Sequence, residues 1–144
     1  MGTQNLIAKA EVLIAASTAE VWQALIDPAL IKKYMFGTTV QSDWKKGSKI
    51  TWQGEWKGKK YEDKGEITAI EPNKVLQYTH FSPLSGLEDK PENYHTVTIG
   101  LSAENDQTKV VLTQDKNLSE KGQQESQKNW ENMLQSLKEV VESN

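Results

Sequence analysis

Residues 119–142 read SEKGQQESQKNWENMLQSLKEVVE, and the reading of this stretch decides the fold. No proline interrupts it, and Gly122 weakens only its first turn. Ser119 is a suitable helix cap. Trp130, Leu134, Leu137 and Val141 recur at three- and four-residue spacing and make one apolar stripe, which Met133 and Val140 widen. Glu131, Gln135, Lys138, Glu139 and Glu142 fall on the opposite face. A helix of about 24 residues spans about 36 Å at 1.5 Å per residue. Such a stripe must be buried against another element, and the only large partner upstream is a sheet.

The chain before the helix reads as strands joined by short turns. The candidates are Thr39–Trp44, Ser48–Trp56, Lys60–Ile70, Lys74–Phe81, His95–Ala103 and Thr108–Asp115. Turn residues separate them at Lys46-Gly47, Lys57-Gly58-Lys59, Glu71-Pro72-Asn73 and Glu104-Asn105-Asp106. The spacing predicts an antiparallel meander. Pro83 to Asn93 has no periodicity and reads as a surface loop near the expected pocket mouth. Leu6 to Ala15 is a further strand at the start. Ser17-Thr18-Ala19-Glu20 then has the form of a capping box, followed by Val21, Ala24 and Leu25 at helical spacing. Asp27-Pro28 breaks this helix, and a second short one carries Leu30, Ile31 and Tyr34 up to Gly37. The expected architecture is α+β: a curved antiparallel sheet wrapped around a long C-terminal helix, with two short helices after the first strand. It is expected to form one domain over residues 1–144.

Composition narrows the function. The chain has 20 acids against 17 bases, for a net charge of −3, and every base is lysine. Arginine is the usual fork for phosphates and guanine edges, so its absence argues against nucleic-acid binding. There is no cysteine, which excludes disulfides and thiolate metal sites. Lys9 and Glu11 interrupt the apolar stretch near the start, and no run approaches the roughly 20 apolar residues that cross a bilayer. The expectation is a cytoplasmic protein without membrane insertion. Phosphate-cradling glycine loops and a nucleophile elbow are absent as well.

Three stretches carry a resemblance. IAASTAEVWQALIDP at residues 14–28, KGEITAIEPNKVL at 64–76 and NWENML at 129–134 resemble the AHSA-like family, homologues of the activator of heat-shock protein 90 ATPase. That family lies within the START-like (SRPBCC) superfamily, whose helix-grip fold has the element order just described. The resemblance covers nearly the whole chain. It implies a cavity between the terminal helix and the sheet, and its name implies chaperone contact as one role. The family often has tryptophan where Tyr34 or Met35 stands and near His80, so the ligand preference implied here differs from that of relatives.

The residues themselves point to an apolar pocket. Trp44, Trp52 and Trp56 lie close in sequence, and Tyr61 and Tyr78 follow. Trp52 and Trp56 share a strand face, as do Leu76, Tyr78 and His80. The candidate ligand-binding set is Trp52, Trp56, Tyr61, Tyr78, His80, Trp130, Met133, Leu134 and Leu137. Plain hydrophobic core is the competing reading for each. His80 is the candidate general base, since alternation turns it inward, and Glu66 is the candidate among the acids Glu55, Glu62, Asp63 and Glu66. His80 and His95 lack metal-ligand spacing, so no metal or cofactor is expected. The leading expectation is a binding module for a hydrophobic or aromatic small molecule. The alternatives are a cyclase- or hydrolase-type enzyme using the same cavity and a co-chaperone-like interaction module.

Overall fold

The computed structural model describes residues 6–56, 58–83, 86–117 and 119–143, with Trp56 described by its backbone alone. Seven strands form one antiparallel sheet in the order β1-β7-β6-β5-β4-β3-β2. They are β1 (Leu6–Ile14), β2 (Thr39–Ser42), β3 (Lys49–Trp56), β4 (Lys59–Glu71), β5 (Val75–His80), β6 (His95–Glu104) and β7 (Gln107–Asn117). The helices are α1 (Thr18–Ile26), α2 (Pro28–Tyr34) and α3 (Glu120–Glu142). The α+β helix-grip architecture read from the sequence is the one observed.

Local chemistry starts and stops the elements as anticipated. The Ser17 hydroxyl accepts from the Glu20 amide at 3.2 Å while the Glu20 carboxylate reaches the Ser17 amide, which completes the capping box. Asp27 ends α1 and caps α2 by accepting from the Ala29 amide at 2.9 Å. Gly37, with φ +91°, closes α2 by donating to Lys32 O. Asn105 and Asp106 both have positive φ and form the two-residue turn between β6 and β7. Most strand boundaries shift by one or two residues. β2 stops at Ser42 rather than Trp44, because Trp44 takes φ +55° and leaves the ladder.

β4 is where the sheet bends. Its first half pairs with β3, from Lys59↔Trp56 to Glu66↔Lys49, and its second half pairs with β5. At the crossover a Cβ on Gly65 would collide with the Thr79 carbonyl. Only glycine lets the two backbones approach this closely.

The core lies on the concave side. Val97, Ile99 and Leu101 of β6, Val110 and Leu112 of β7, and Leu76 and Tyr78 of β5 are all buried there. Leu134, Leu137 and Val141 of α3 complete it. Ala8, Ala10 and Ile14 are the buried residues of β1, and α3 packs along this strand. The polar side of α3 is not all solvated. Gln123 donates to Ile7 O at 2.7 Å and Lys138 to Leu13 O at 2.8 Å, while Glu142 accepts from the Ala15 amide at 2.8 Å. These side chains satisfy the outer edge of β1, which would otherwise be open for pairing.

Candidate functional site

The register of β4 on β3 puts Asp63 opposite Trp52. Cross-strand partners share a face, so both point to the concave side. Trp52 is 5% exposed and its ring lies 5.0 Å from that of Tyr78 and 5.1 Å from that of His80. His80 Nε2 is 2.8 Å from Asp63 Oδ2. The other oxygen, Asp63 Oδ1, is buried and has no hydrogen-bond partner among the described residues. His80 sits opposite His95, whose Nδ1 is 2.9 Å from Asp115 O. Burial pushes the Tyr78 and Tyr34 hydroxyls far above their usual pKa, so both stay protonated. Tyr34 donates to Ala24 O at 3.0 Å and thereby ties α1 to α2.

Two spaces adjoin this aromatic row. One is an interior void of about 30 Å³, bordered by Tyr34, Trp44, Trp52, Tyr78 and Met133. It is about the size of one water molecule. The other is an open groove of about 430 Å³ between α3 and the strand ends. Met35, Phe36, Thr38 and Tyr61 form one wall, and Ser126, Asn129, Trp130 and Met133 of α3 form the other. The groove exists because the first half of α3 turns only small or polar side chains toward the sheet, until Trp130. Trp130 is half-buried and donates its indole N–H to Gln114 Oε1. Tyr61 O–H lies 3.0 Å from Thr38 Oγ1. Phe36 is 76% exposed at the rim, held there by a φ of +56°.

The sequence-derived residues therefore divide. Tyr61, Trp130 and Met133 border the groove, while Trp52, Tyr78 and His80 lie in the aromatic row beneath. Leu134 and Leu137 are 1% and 0% exposed and belong to the solid core between α3 and the sheet. The enclosed cavity expected under the whole helix stripe is replaced by a groove at the N-terminal half of α3, where the helix turns small and polar side chains toward the sheet. The Trp56 side chain lies outside the described residues. Glu66 is exposed on the convex face, opposite Lys49, so it does not share the interior with His80. The loop expected near the mouth is tied to the convex face instead. There Asp89 pairs with Lys64 and accepts from Tyr94 O–H, and Tyr94 stacks on Phe81. The Lys64 ammonium, then the Tyr94 hydroxyl, hold the Asp89 carboxyl below the usual carboxylate range.

Sequence reading weighed Asp63 but preferred Glu66, and it missed Gln114, Thr38 and Ser126. Two were within reach: the turn at Gly58 pairs Asp63 with Trp52, and Gln114 continues the inward row of Val110 and Leu112. Among the described residues no three His, Cys, Asp or Glu side chains converge as a metal site, and no helix is long and apolar enough to cross a membrane.

A family model described as Activator of Hsp90 ATPase homolog 1-like protein matches residues 15–142. The chain belongs to this family. ChR145 from Cytophaga hutchinsonii, solved in solution, is 54% identical, with a TM-score of 0.86 over 99% of this chain and 97% of that one. The Aha1 dimer from Colwellia psychrerythraea has 22% identity and a TM-score of 0.71, covering 94% of this chain and 95% of that one. DynU16, a protein from the dynemicin biosynthetic locus, has 16% identity and a TM-score of 0.79, covering 96% of this chain and 48% of that one. At such identities the last two share the fold with this AHSA1-like chain and nothing finer. No curated protein matches the sequence significantly.

Proposed function

We propose that this AHSA1-like chain binds a hydrophobic or aromatic small molecule, which enters through the groove between α3 and the Met35–Thr38 segment. The observation that carries the reading is the groove itself, with a volume of about 430 Å³ and walls containing Met35, Phe36, Tyr61, Trp130 and Met133. Ligand sites of several hundred Å³ lined by apolar and aromatic groups with a few polar atoms are the common form. Binding here draws on burial of apolar surface at about 25 cal/mol per Å². The Phe36 ring, exposed at the rim, gains most from a bound apolar molecule.

The test is a fluorescence titration with the neutral probe N-phenyl-1-naphthylamine. Ser126→Trp fills the groove from a half-buried position on α3 without entering the core. The expected result is saturable binding that Ser126→Trp abolishes and Glu66→Ala, on the convex face, leaves unchanged. Binding that survives Ser126→Trp contradicts the reading.

One observation favours a second reading, an enzyme of the cyclase or hydrolase type. His80 is inward and paired with Asp63, and an Nε2–H held by that carboxylate leaves Nδ1 as the basic nitrogen in the neutral ring. Turnover of a bound aromatic substrate that His80→Ala abolishes, with affinity retained, would favour this second reading over simple binding.

A further inference from the structure

We propose that Asp63, held in place by His80, is the polar anchor of the groove and takes a hydrogen-bond donor, a phenolic or other hydroxyl, on a neutral aromatic ligand. The proposal rests on the groove being the binding site and names the chemistry it selects. Asp63 Oδ1 is buried with no donor among the described residues, and an unpaired buried acceptor is costly, most of all when charged. Oδ2 is already occupied by His80 Nε2, so an incoming donor is directed to Oδ1. The position adjoins the groove, and a ligand meets the buried Oδ1 by displacing the side chains that cover it. Asp63 stands two residues after the groove-lining Tyr61 on the same face of β4, about 7 Å along the strand. A molecule of two fused rings that enters past Tyr61 spans that distance.

The surroundings fix the class further. The groups that neighbour the carboxylate are aromatic: Tyr61 on the same strand face, Trp52 across the ladder and the His80 ring. Among the described residues, the groove wall carries one carboxylate, Glu55. Glu55 with Asp63 beside the groove, and no lysine among the described lining residues, disfavour an anionic ligand, since like charges repel. A ligand carrying only ether or carbonyl oxygens leaves Oδ1 unpaired and adds an acceptor beside it.

The experiment compares 2-naphthol with 2-methoxynaphthalene, which has the same rings and no donor. A hydrogen bond to a charged acceptor predicts at least about tenfold tighter binding of 2-naphthol. Asp63→Asn keeps the shape and removes the charge, and the preference should fall to about threefold or less. In the unsubstituted protein the Asp63 carboxyl carbon signal should shift with 2-naphthol and stay in place with the methyl ether. That readout holds even if the variant folds poorly. Equal affinity for both compounds, or an unmoved carboxyl signal, overturns the anchor and leaves the groove as a binding site. Binding of neither compound overturns the groove reading and the anchor with it.

Discussion

Gly65 carries the bend of the sheet. The Thr79 carbonyl occupies the space a side chain would need, and backbone on both sides prevents relief by rotamer change. Gly65→Ala is expected to cost about 3 kcal/mol or more. Urea unfolding would register it as a lower midpoint, and an unchanged midpoint would mean that the two strands are further apart than described. Ser17 is a smaller case of the same local control. Its hydroxyl serves the Glu20 amide, so Ser17→Ala should cost about 1 kcal/mol. Such positions differ in legibility. The capping box announces itself, because Ser and Glu three apart before an apolar run have one economical use. Gly65 carries no comparable signal, since the clash it avoids is with a residue on another strand. Asp63 is intermediate. It reads as one more surface acid until the turn length is used to count it across to Trp52.

At the scale of elements, α3 has two halves with different work. Its C-terminal half packs Leu134, Leu137 and Val141 into the core, and its N-terminal half roofs the groove. Leu137→Ala is expected to cost about 3 kcal/mol. Trp130→Ala should cost only about 1.5 kcal/mol despite the larger side chain, because Trp130 is half-buried and borders solvent. Thermal unfolding of both variants checks the order, and a larger loss for Trp130→Ala would place the groove inside the core. The apolar stripe foretold that α3 is buried. It could not foretell how the helix is seated, because that depends on the backbone of Ile7, Leu13 and Ala15, more than a hundred residues earlier in the chain.

The latch of α3 on β1 is also pH-dependent. Glu142 is held below its ordinary carboxyl pKa of 4.5, first by the Ala15 amide and then by Lys138. A depressed pKa in the folded state means the contribution is complete above the unfolded value and is lost as pH falls through the folded one. Glu142→Gln should therefore lower the melting temperature at neutral pH and make progressively less difference as pH falls below 4.5 and through the folded value. A gap that persists undiminished in acid would exclude the carboxylate as its source. Charge periodicity had assigned Lys138 and Glu142 to the solvent side. They are polar because β1 presents unpaired backbone groups to them, a need that becomes visible only once the strand order is known.

At the scale of the molecule, the sheet, its bend at Gly65 and the two short helices form a cup that α3 closes at one end and leaves open at the other. The open end collects the polar and aromatic groups that no packing demand explains, Asp63, His80, Tyr61, Gln114 and Trp130. The fold was legible because element order, turn residues and the terminal stripe all agree with one architecture. The site was legible only as a region, since its shape follows from how far α3 tilts over the strands. The most direct measurement is a two-dimensional NMR titration of the protein with 2-naphthol, following backbone amides and tryptophan indoles. The account predicts shifts at residues 35–38, Tyr61, Asp63, Ser126 and the Trp52 and Trp130 indoles, with Trp22 on α1 unmoved. Shifts clustered instead on the convex face at Lys49, Glu66 and Tyr94, or none at saturating probe, would contradict it.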